Sequence, residues 1–296
     1  MQLKEIKIIY HKELDEMYPK EEVDSFFYIL IEHYLSLERF VLALQPDLSI
    51  TKDEEQPLFE ALAQLKLNRP VQYVIRKTTF MDLDFEVDEN VLIPRPETEE
   101  LVRWILEEVQ RSRVEIQGRK EENENSALKI LDIGTGSGCI AISLAKNLPE
   151  AKVYALEISN RALEIAQRNA IKNETIIEFI QADILELSEL QDMFDIIVSN
   201  PPYVREMEKD EMEKNVLENE PDLALFVSDE NPLVFYKSIT QFAKGYLNSN
   251  GFLFLEVNQY LAKETRALLE NHKFSEIELR KDMFDNDRML KGSFTK

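Results

Sequence analysis

The sequence predicts an α/β protein in which a domain with a mostly parallel β-sheet follows a small helical bundle. From residue 127 onward, apolar strand patterns alternate with helix patterns, which is typical of a parallel sheet covered by helices on both faces. The first 72 residues have apolar residues near helical spacing and contain no glycine. The length of 296 residues predicts two domains.

The composition excludes several classes of protein. The formal net charge is −22, from 35 Lys or Arg and 57 Asp or Glu residues, so the chain lacks the basic surface that holds nucleic acid by its phosphates. A single cysteine, Cys139, excludes an internal disulfide framework, and the three histidines show no metal-ligand spacing. The charged N-terminus has no signal-peptide core, and no apolar run has transmembrane length. We therefore expect a cytoplasmic protein without a metal, a membrane partner or stable nucleic acid binding, and a monomer is the default.

The N-terminal region is interpreted as helices joined by turns. The stretch 24–44 has apolar residues near helical spacing. A second apolar helix is predicted over 58–67, because Pro57 suits a helix start.

The segment that follows has a different pattern. Residues 79–87 alternate in polarity, which predicts a short hairpin or an extended linker. The acidic residues after Pro96 suit the first turn of a helix. The polar segment 117–126 has no periodicity and is predicted to be a surface loop.

The remainder of the chain alternates between strands and helices. Ser159 is a plausible N-cap for the second of these helices. The predicted strands are 128–133, 153–156, 176–180, 194–199 and 252–257, and the predicted helices are 139–147, 159–173, 235–247 and 262–272.

A glycine-rich loop follows the first of these strands. Three of the seven glycines, Gly134, Gly136 and Gly138, lie within five residues. Glycine allows backbone to approach a ligand closely, and ligands of open α/β sheets bind outside the carboxyl ends of strands. The dinucleotide fingerprint would need glycine at Cys139, and no Gly-Lys-Ser/Thr sequence of a P-loop follows. The loop instead resembles the D-x-G-x-G-x-G loop of S-adenosylmethionine-dependent methyltransferases, with a tight ligand-free turn as the alternative.

Acidic residues accompany this loop. Asp132 is its leading acid, close to the amino-acid end of the expected ligand. Glu157 ends the next strand, where a carboxylate can accept hydrogen bonds from both ribose hydroxyls. Asp183 follows the third strand and is placed to accept from the adenine amino group. Taken singly, Glu157 and Asp183 also fit solvated acids at strand ends.

The fourth strand leads directly into the tetrapeptide Asn200-Pro201-Pro202-Tyr203. The two prolines make the backbone stiff. The side-chain oxygen of Asn200 and the carbonyl of Pro201 can accept both N–H groups of a planar amide or nucleobase amino group, and Tyr203 can stack on it. The cofactor supplies the reactive carbon, so the protein contributes mainly orientation and electrostatics. We assign no general base, and a proline-rich turn with a cap-like Asn is the alternative.

Three runs together resemble the release factor glutamine methyltransferase (HemK) family: NVLIPRPETEELV over 90–102, NPPYV over 200–204 and EPDLALF over 220–226. The resemblance covers nearly the whole chain. It implies a Rossmann-like, seven-stranded methyltransferase domain preceded by a helical bundle and a hairpin linker. The implied domains are a substrate-recognition domain over 1–72, a linker over 73–93 and a catalytic domain over 94–296.

The resemblance also implies an activity, which is methyl transfer from S-adenosyl-L-methionine to the side-chain amide of the glutamine in the Gly-Gly-Gln motif of peptide chain release factors. The implied catalytic residues are Asn200, Pro201 and Tyr203. The PRPETE run would form a wall of the active site, although it also fits a domain-linking turn. The implied cofactor contacts are Asp132, Gly134, Thr135, Gly136, Gly138, Glu157, Asp183 and Asn200, and the implied substrate contacts are Arg95, Glu97, Asn200, Pro201, Pro202 and Tyr203.

Some positions depart from the family pattern. Arg76 stands where many relatives have glycine, Asp82-Leu83 replaces a Gly-Leu pair, and Asn258 replaces a glycine after the fifth strand. These departures put details of the hairpin and of the loop after Val257 in doubt. The charged segment 205–215 fits either solvated surface or a lid over the site.

Two other functions stay open on the sequence. The Asn-Pro-Pro-Tyr tetrapeptide also occurs in methyltransferases that act on DNA or RNA bases, which the net charge of −22 disfavours. A catalytically silent binding module is disfavoured because both motifs are intact.

Overall fold

The computed structural model describes residues 1–119, 127–187 and 189–295, and the side chains of 112–119 and 211 lie outside that description. The chain divides into two compact units. One comprises Met1–Lys77 and Met212–Asn219, and the other comprises Thr78–Glu211 and Glu220–Lys296.

The first unit is helical, as its sequence predicts. Apolar side chains of its helices, among them Tyr10, Phe27 and Leu58, are fully buried in one core. Its helices before residue 77 are α1 (Leu3–Leu14), α2 (Lys20–Leu35), α3 (Val41–Leu44), α4 (Lys52–Leu65) and α5 (Val71–Ile75).

Two helix boundaries in this unit differ from prediction. The stretch 24–44 is divided between α2 and α3, because Ser36 adopts a left-handed conformation (φ 55°) that ends α2. The start predicted at residue 58 was wrong, since α4 begins at Lys52. Thr51 and Glu54 form a capping box in which each side chain accepts a hydrogen bond from the other residue's backbone N–H, and Pro57 lies inside the helix.

The second unit begins with the predicted hairpin. Its strands are β1 (Thr78–Phe80) and β2 (Leu83–Phe85), which pair antiparallel. Helix α6 (Pro96–Arg119) follows and includes residues 117–119 of the predicted loop. The other residues of that loop, 120–126, lie outside the described residues.

Strands and helices alternate through the rest of the chain, as predicted. Ser159 caps its helix, with its hydroxyl accepting from the N–H of Ala162. In order the elements are β3 (Lys129–Ile133), α7 (Cys139–Asn147), β4 (Lys152–Glu157), α8 (Asn160–Lys172), β5 (Ile177–Gln181), β6 (Phe194–Ser199), β7 (Val204–Arg205), a 3₁₀ helix (Glu206–Glu211), α9 (Lys214–Asn219, in the first unit), α10 (Asp222–Leu225), β8 (Phe226–Val227), α11 (Val234–Tyr246), β9 (Leu247–Glu256), α12 (Ala262–Asn271), β10 (Ser275–Lys281) and β11 (Asp287–Phe294).

The main sheet has seven strands in the order β10-β11-β9-β6-β3-β4-β5. Five neighbouring strands, from β9 to β5, run parallel, whereas β11 pairs antiparallel with β9 and β10 antiparallel with β11. The expected seven-stranded, mostly parallel, Rossmann-like sheet is therefore confirmed. The antiparallel pair was not among the strands predicted from hydrophobic pattern.

Both faces of β9, β6, β3 and β4 are largely buried, whereas the edge strand β5 is partly exposed. On β3, Ile130 packs in a cluster that includes side chains of α6 and α7, whereas Leu131 packs in a cluster with side chains of α11 and α12. This arrangement explains why the strands read as continuous apolar runs. Within the described residues, no helix is both long enough and apolar enough to cross a membrane.

Candidate active site

The motifs predicted from the sequence meet at one edge of the parallel sheet. In the strand register, Ile133 lies opposite Leu156 on one side and opposite Ser199 on the other. The residues that follow these strands therefore lie side by side at the carboxyl edge. A pocket of about 400 Å³ opens there. Its lining includes Arg95, Gly134, Thr135, Gly136, Glu157, Asp183, Asn200, Pro201 and Pro202 among the predicted residues.

Four predicted residues lie outside the lining of this pocket, namely Glu97, Asp132, Gly138 and Tyr203. Apolar residues complete its wall, including Ile140 on α7 and Phe235 and Ile239 on α11. A pocket with apolar walls and a few convergent polar groups is the usual form of a small-molecule site.

The glycines of the loop have two different roles. Gly134 and Gly136 have positive φ angles of 74° and 54°, and a Cβ atom built on either would have no heavy atom within 4 Å. They leave open space in which a ligand can approach the backbone. Gly138 has φ 84°, but its Cβ would lie 2.8 Å from Ile142 Cδ1 and 3.2 Å from Ala166 Cβ. Gly138 therefore permits close packing of α7 against α8.

Asp132 is a fully buried carboxyl group at the end of β3. Thr135 Oγ1 donates a hydrogen bond to Asp132 Oδ2 (2.6 Å), while Oδ1 is buried and has no hydrogen-bond partner among the described residues. Burial raises the pKa of Asp132 to about 7, and the Thr135 hydroxyl offsets part of that increase. Asp132 does not itself line the pocket, so its Oδ1 is a buried acceptor two residues before Gly134 of the lining.

Glu157 and Asp183 each form backbone hydrogen bonds. Glu157 Oε2 accepts from the N–H of Gly136 (3.0 Å), and Oε1 accepts from the N–H of Ser159 (3.0 Å). Asp183 Oδ1 accepts from the N–H of Leu185 (2.8 Å). These bonds orient the carboxylates and leave further lone pairs for ligand hydroxyl or amino groups, since a carboxylate offers about four acceptor sites.

Asn200 is oriented by Thr98 and Glu256, which were not among the predicted site residues, although Thr98 belongs to the PRPETE run predicted to wall the site. Asn200 Nδ2 donates to Thr98 Oγ1 (3.2 Å), and Thr98 Oγ1 donates to Glu256 Oε2 (2.6 Å). Tyr203, outside the pocket lining, donates its hydroxyl to Glu256 Oε1 (2.9 Å). Burial, followed by the charge of Glu256, raises the pKa of Tyr203 well above its ordinary value, so the phenol keeps its proton.

The PRPETE run is fastened to the EPDLALF run. Arg95 Nη2 donates to Glu220 Oε1 (2.6 Å), and the N–H of Ile93 donates to Glu220 Oε2 (3.2 Å). The Glu220 side chain is almost fully buried, so this pair holds the wall of the pocket in place. Each run is recognisable in the sequence, but no local sequence pattern predicts that the two runs contact each other.

Cys139 is buried at the start of α7, and burial raises the pKa of its thiol to about 12. It behaves there as a small apolar group and not as a nucleophile. In the part of the chain that the structure describes, no cluster of three or more His, Cys, Asp or Glu side chains could hold a metal ion.

Two family models match parts of this chain. Residues 11–75 match the family described as PrmC N-terminal domain, and residues 120–223 match the Methyltransferase small domain family. Among solved structures, the hMettl16 catalytic domain in complex with a 3′UTR hairpin has a TM-score of 0.55 at 14% identity, over 86% of this chain and 91% of that one. At that identity the likeness shows the fold alone.

Curated relatives are similar over almost the full length. The release factor glutamine methyltransferase of Flavobacterium psychrophilum is 50% identical over 99% of this chain and 100% of its own length. The protein of the same name from Bacteroides thetaiotaomicron is 39% identical over 94% of this chain and 95% of its own. With the two motifs meeting at one pocket, this similarity shows that the chain belongs to the release factor glutamine methyltransferase family.

Proposed function

We propose that this protein transfers a methyl group from S-adenosyl-L-methionine to the side-chain amide of the glutamine in the Gly-Gly-Gln motif of peptide chain release factors. One observation carries the proposal, which is that the glycine loop and the Asn-Pro-Pro segment line the same pocket. A cofactor held by the first would therefore face a nitrogen held by the second. We further propose that the protein acts as a monomer in the cytoplasm.

The described residues fit this cofactor. The open space beside Gly134 and Gly136 admits a ligand close to the loop. Asp132 would face the amino-acid end, Glu157 the ribose hydroxyls and Asp183 the adenine amino group. When bound, the cofactor supplies an electrophilic methyl group.

The protein's own residues act on the glutamine amide by orienting it. Asn200 Oδ1 and the Pro201 carbonyl accept its two N–H groups, which directs the nitrogen lone pair towards the methyl carbon. Pro202 limits the freedom of this backbone segment. The Tyr203 ring packs beside the amide. The nitrogen becomes acidic once methylated, so the residues need not include a general base.

The two regions of the chain have different roles in this proposal. Residues 1–72 recognise the release factor, 73–93 link the regions, and 94–296 carry the chemistry. Arg95 and Glu97 would contact the substrate, and the position of Arg95 in the pocket lining supports its part in this.

The test is incubation with methyl-labelled cofactor and purified release factor, followed by tryptic digestion. We expect label on the peptide that contains Gly-Gly-Gln. Asn200→Ala should lower the labelling rate by about 100-fold or more, because the amide loses an orienting acceptor. Asn147→Ala, at the end of α7 and outside the pocket lining, is the matched control and should keep the wild-type rate. Label on DNA or RNA, with none on this peptide, would contradict the proposal.

A further inference from the structure

A chain of hydrogen bonds runs from Asn200 through Thr98, which also lines the pocket, to Glu256 and Tyr203. Asn200 Nδ2 donates to Thr98 Oγ1 at 3.2 Å, Thr98 donates to Glu256 Oε2 at 2.6 Å, and Tyr203 donates to Glu256 Oε1 at 2.9 Å. Thr98 and Glu256 are each 2% exposed, so water does not compete for these bonds. The chain joins α6, the loop after β6 and the end of β9.

The direction of each bond follows from the number of protons available. A threonine hydroxyl has one proton, and Thr98 gives it to the Glu256 carboxylate. Thr98 can then only accept from Asn200. The amide of Asn200 must therefore turn its NH2 group towards Thr98, which leaves Oδ1 to face the other way.

This orientation matters because the two ends of an Asn amide are nearly the same size. Without a directing partner, the amide could present either the oxygen or the NH2 group. A glutamine amide nitrogen carries two donors, so an NH2 group presented to it would bring donor against donor. Only the orientation that Thr98 selects offers an acceptor to the substrate.

Glu256 is held as the acceptor at the end of this chain. Burial raises its pKa, and the negative charge of Glu97 acts in the same direction. The hydroxyls of Thr98 and Tyr203 and the positive charge of Arg288 oppose that rise. Arg288 also donates from Nη1 to the Tyr203 hydroxyl (3.4 Å). The acceptor role of Glu256 follows from geometry, because Oε2 receives the Thr98 hydroxyl and Oε1 receives the Tyr203 hydroxyl.

We propose that Thr98 and Glu256 are positioning residues, which fix the amide of Asn200 so that its Oδ1 accepts from the glutamine substrate. The inference rests on the proposed function and adds two residues to that site. Neither residue needs to touch the reacting atoms.

The experiment compares Thr98→Val with Thr98→Ser under steady-state conditions. Valine keeps the shape but lacks the hydroxyl, so kcat should fall at least tenfold, while calorimetric affinity for S-adenosylmethionine stays within twofold of wild type. Serine restores the hydroxyl and should keep kcat within threefold of wild type. Thr265→Val, which removes a buried hydroxyl on α12, is the matched control and should leave kcat unchanged.

Glu256→Gln tests the Glu256 end of the hydrogen-bond chain. It also replaces the first variant as the test if Thr98→Val fails to fold. Thr98 and Tyr203 donate to different oxygens of Glu256, and glutamine replaces one of these oxygens with an NH2 group. One of the two hydroxyls then loses its acceptor, and kcat should fall at least threefold with cofactor affinity retained. Unchanged kcat in Thr98→Val or in Glu256→Gln would overturn the proposal, as would equal losses in Thr98→Val and Thr98→Ser. Failure of the wild-type protein to label the glutamine would instead contradict the proposed function.

Discussion

At the scale of single residues, the Asp132 carboxyl group makes the stability of the protein depend on pH. In the folded protein the Asp132 carboxyl group has a pKa of about 7, so it stays protonated up to that pH. In the unfolded chain the same group loses its proton near its ordinary pKa of 3.8. Between these values the folded state binds more protons than the unfolded state. Stability therefore falls as pH rises from about 4 to 7 and stays reduced above that range.

Replacing Asp132 should remove this pH dependence. Asparagine can still accept from Thr135 but carries no charge, so Asp132→Asn should be more stable than wild type at pH 8, by on the order of 2 kcal/mol. The difference should shrink towards pH 4, and affinity for S-adenosylmethionine should fall. Urea denaturation at several pH values and calorimetry measure these effects. A stability difference that is the same at pH 5 and pH 8 would contradict the explanation.

The glycines offer a second residue-scale prediction, because they differ in their surroundings. Gly138→Ala should destabilise the protein by about 2 kcal/mol, since its φ is left-handed and the new methyl group would press on Ile142 and Ala166. Gly136→Ala meets no neighbour and should cost about 1 kcal/mol, from backbone strain alone. It should nevertheless weaken cofactor binding more than tenfold. Denaturant midpoints and calorimetry distinguish the two, and equal stability losses would refute the distinction.

At the scale of elements, two of the three positions that depart from the family's glycines, Arg76 and Asp82, keep the left-handed backbone conformation that glycine would suit. Arg76 ends α5 with φ 52°, and Asp82, in the hairpin turn, has φ 60°. The hairpin of β1 and β2 forms despite these substitutions. Aspartate tolerates the left-handed region better than arginine does.

Arg76→Gly should therefore stabilise the protein. Relief of the left-handed strain exceeds the added entropy of the unfolded chain, and we expect a gain of about 0.5 kcal/mol in the free energy of unfolding. Thermal and urea denaturation measure this gain. Lys12→Gly, in the last turn of α1, is the control and should lower the free energy of unfolding by about 0.5 kcal/mol. A loss of stability in Arg76→Gly would show that the arginine side chain contributes more than the strain costs.

At the scale of the whole molecule, the net charge of −22 bears on the choice of partner. It disfavours a nucleic acid substrate and suits a protein with a basic surface, which we expect near the catalytic loop of a factor that works on the RNA-rich ribosome. The acidity would then steer the release factor to the enzyme.

Steering of this kind depends on salt. The association rate constant with a release factor should fall about tenfold between 50 and 300 mM NaCl, because screening shortens the reach of the charges. Stopped-flow fluorescence measures that rate. The dissociation rate should change much less and serves as the internal control. An association rate that is insensitive to salt would show that the charge has another use.

The α/β class, the helical N-terminal unit and the position of the site all follow from local patterns in the sequence. A strand followed by a special loop is a local pattern, and parallel strands bring all such loops to one edge. The positions of the motifs after successive strands therefore predict that Gly134, Glu157, Asp183 and Asn200 lie close together. The capping box of Thr51 and Glu54 is also a local sequence pattern, and it marks the true start of α4. The predicted start was too late because it was based on Pro57.

The side chains that support these motifs are set by tertiary packing. Thr98 and Glu256 are 158 positions apart, and Arg95 and Glu220 are 125 apart. Pairing at such distances depends on how elements pack, and no periodicity or local motif encodes it. The antiparallel β10 and β11 were missed for a related reason, because their pairing partners, and not a hydrophobic pattern of their own, define them.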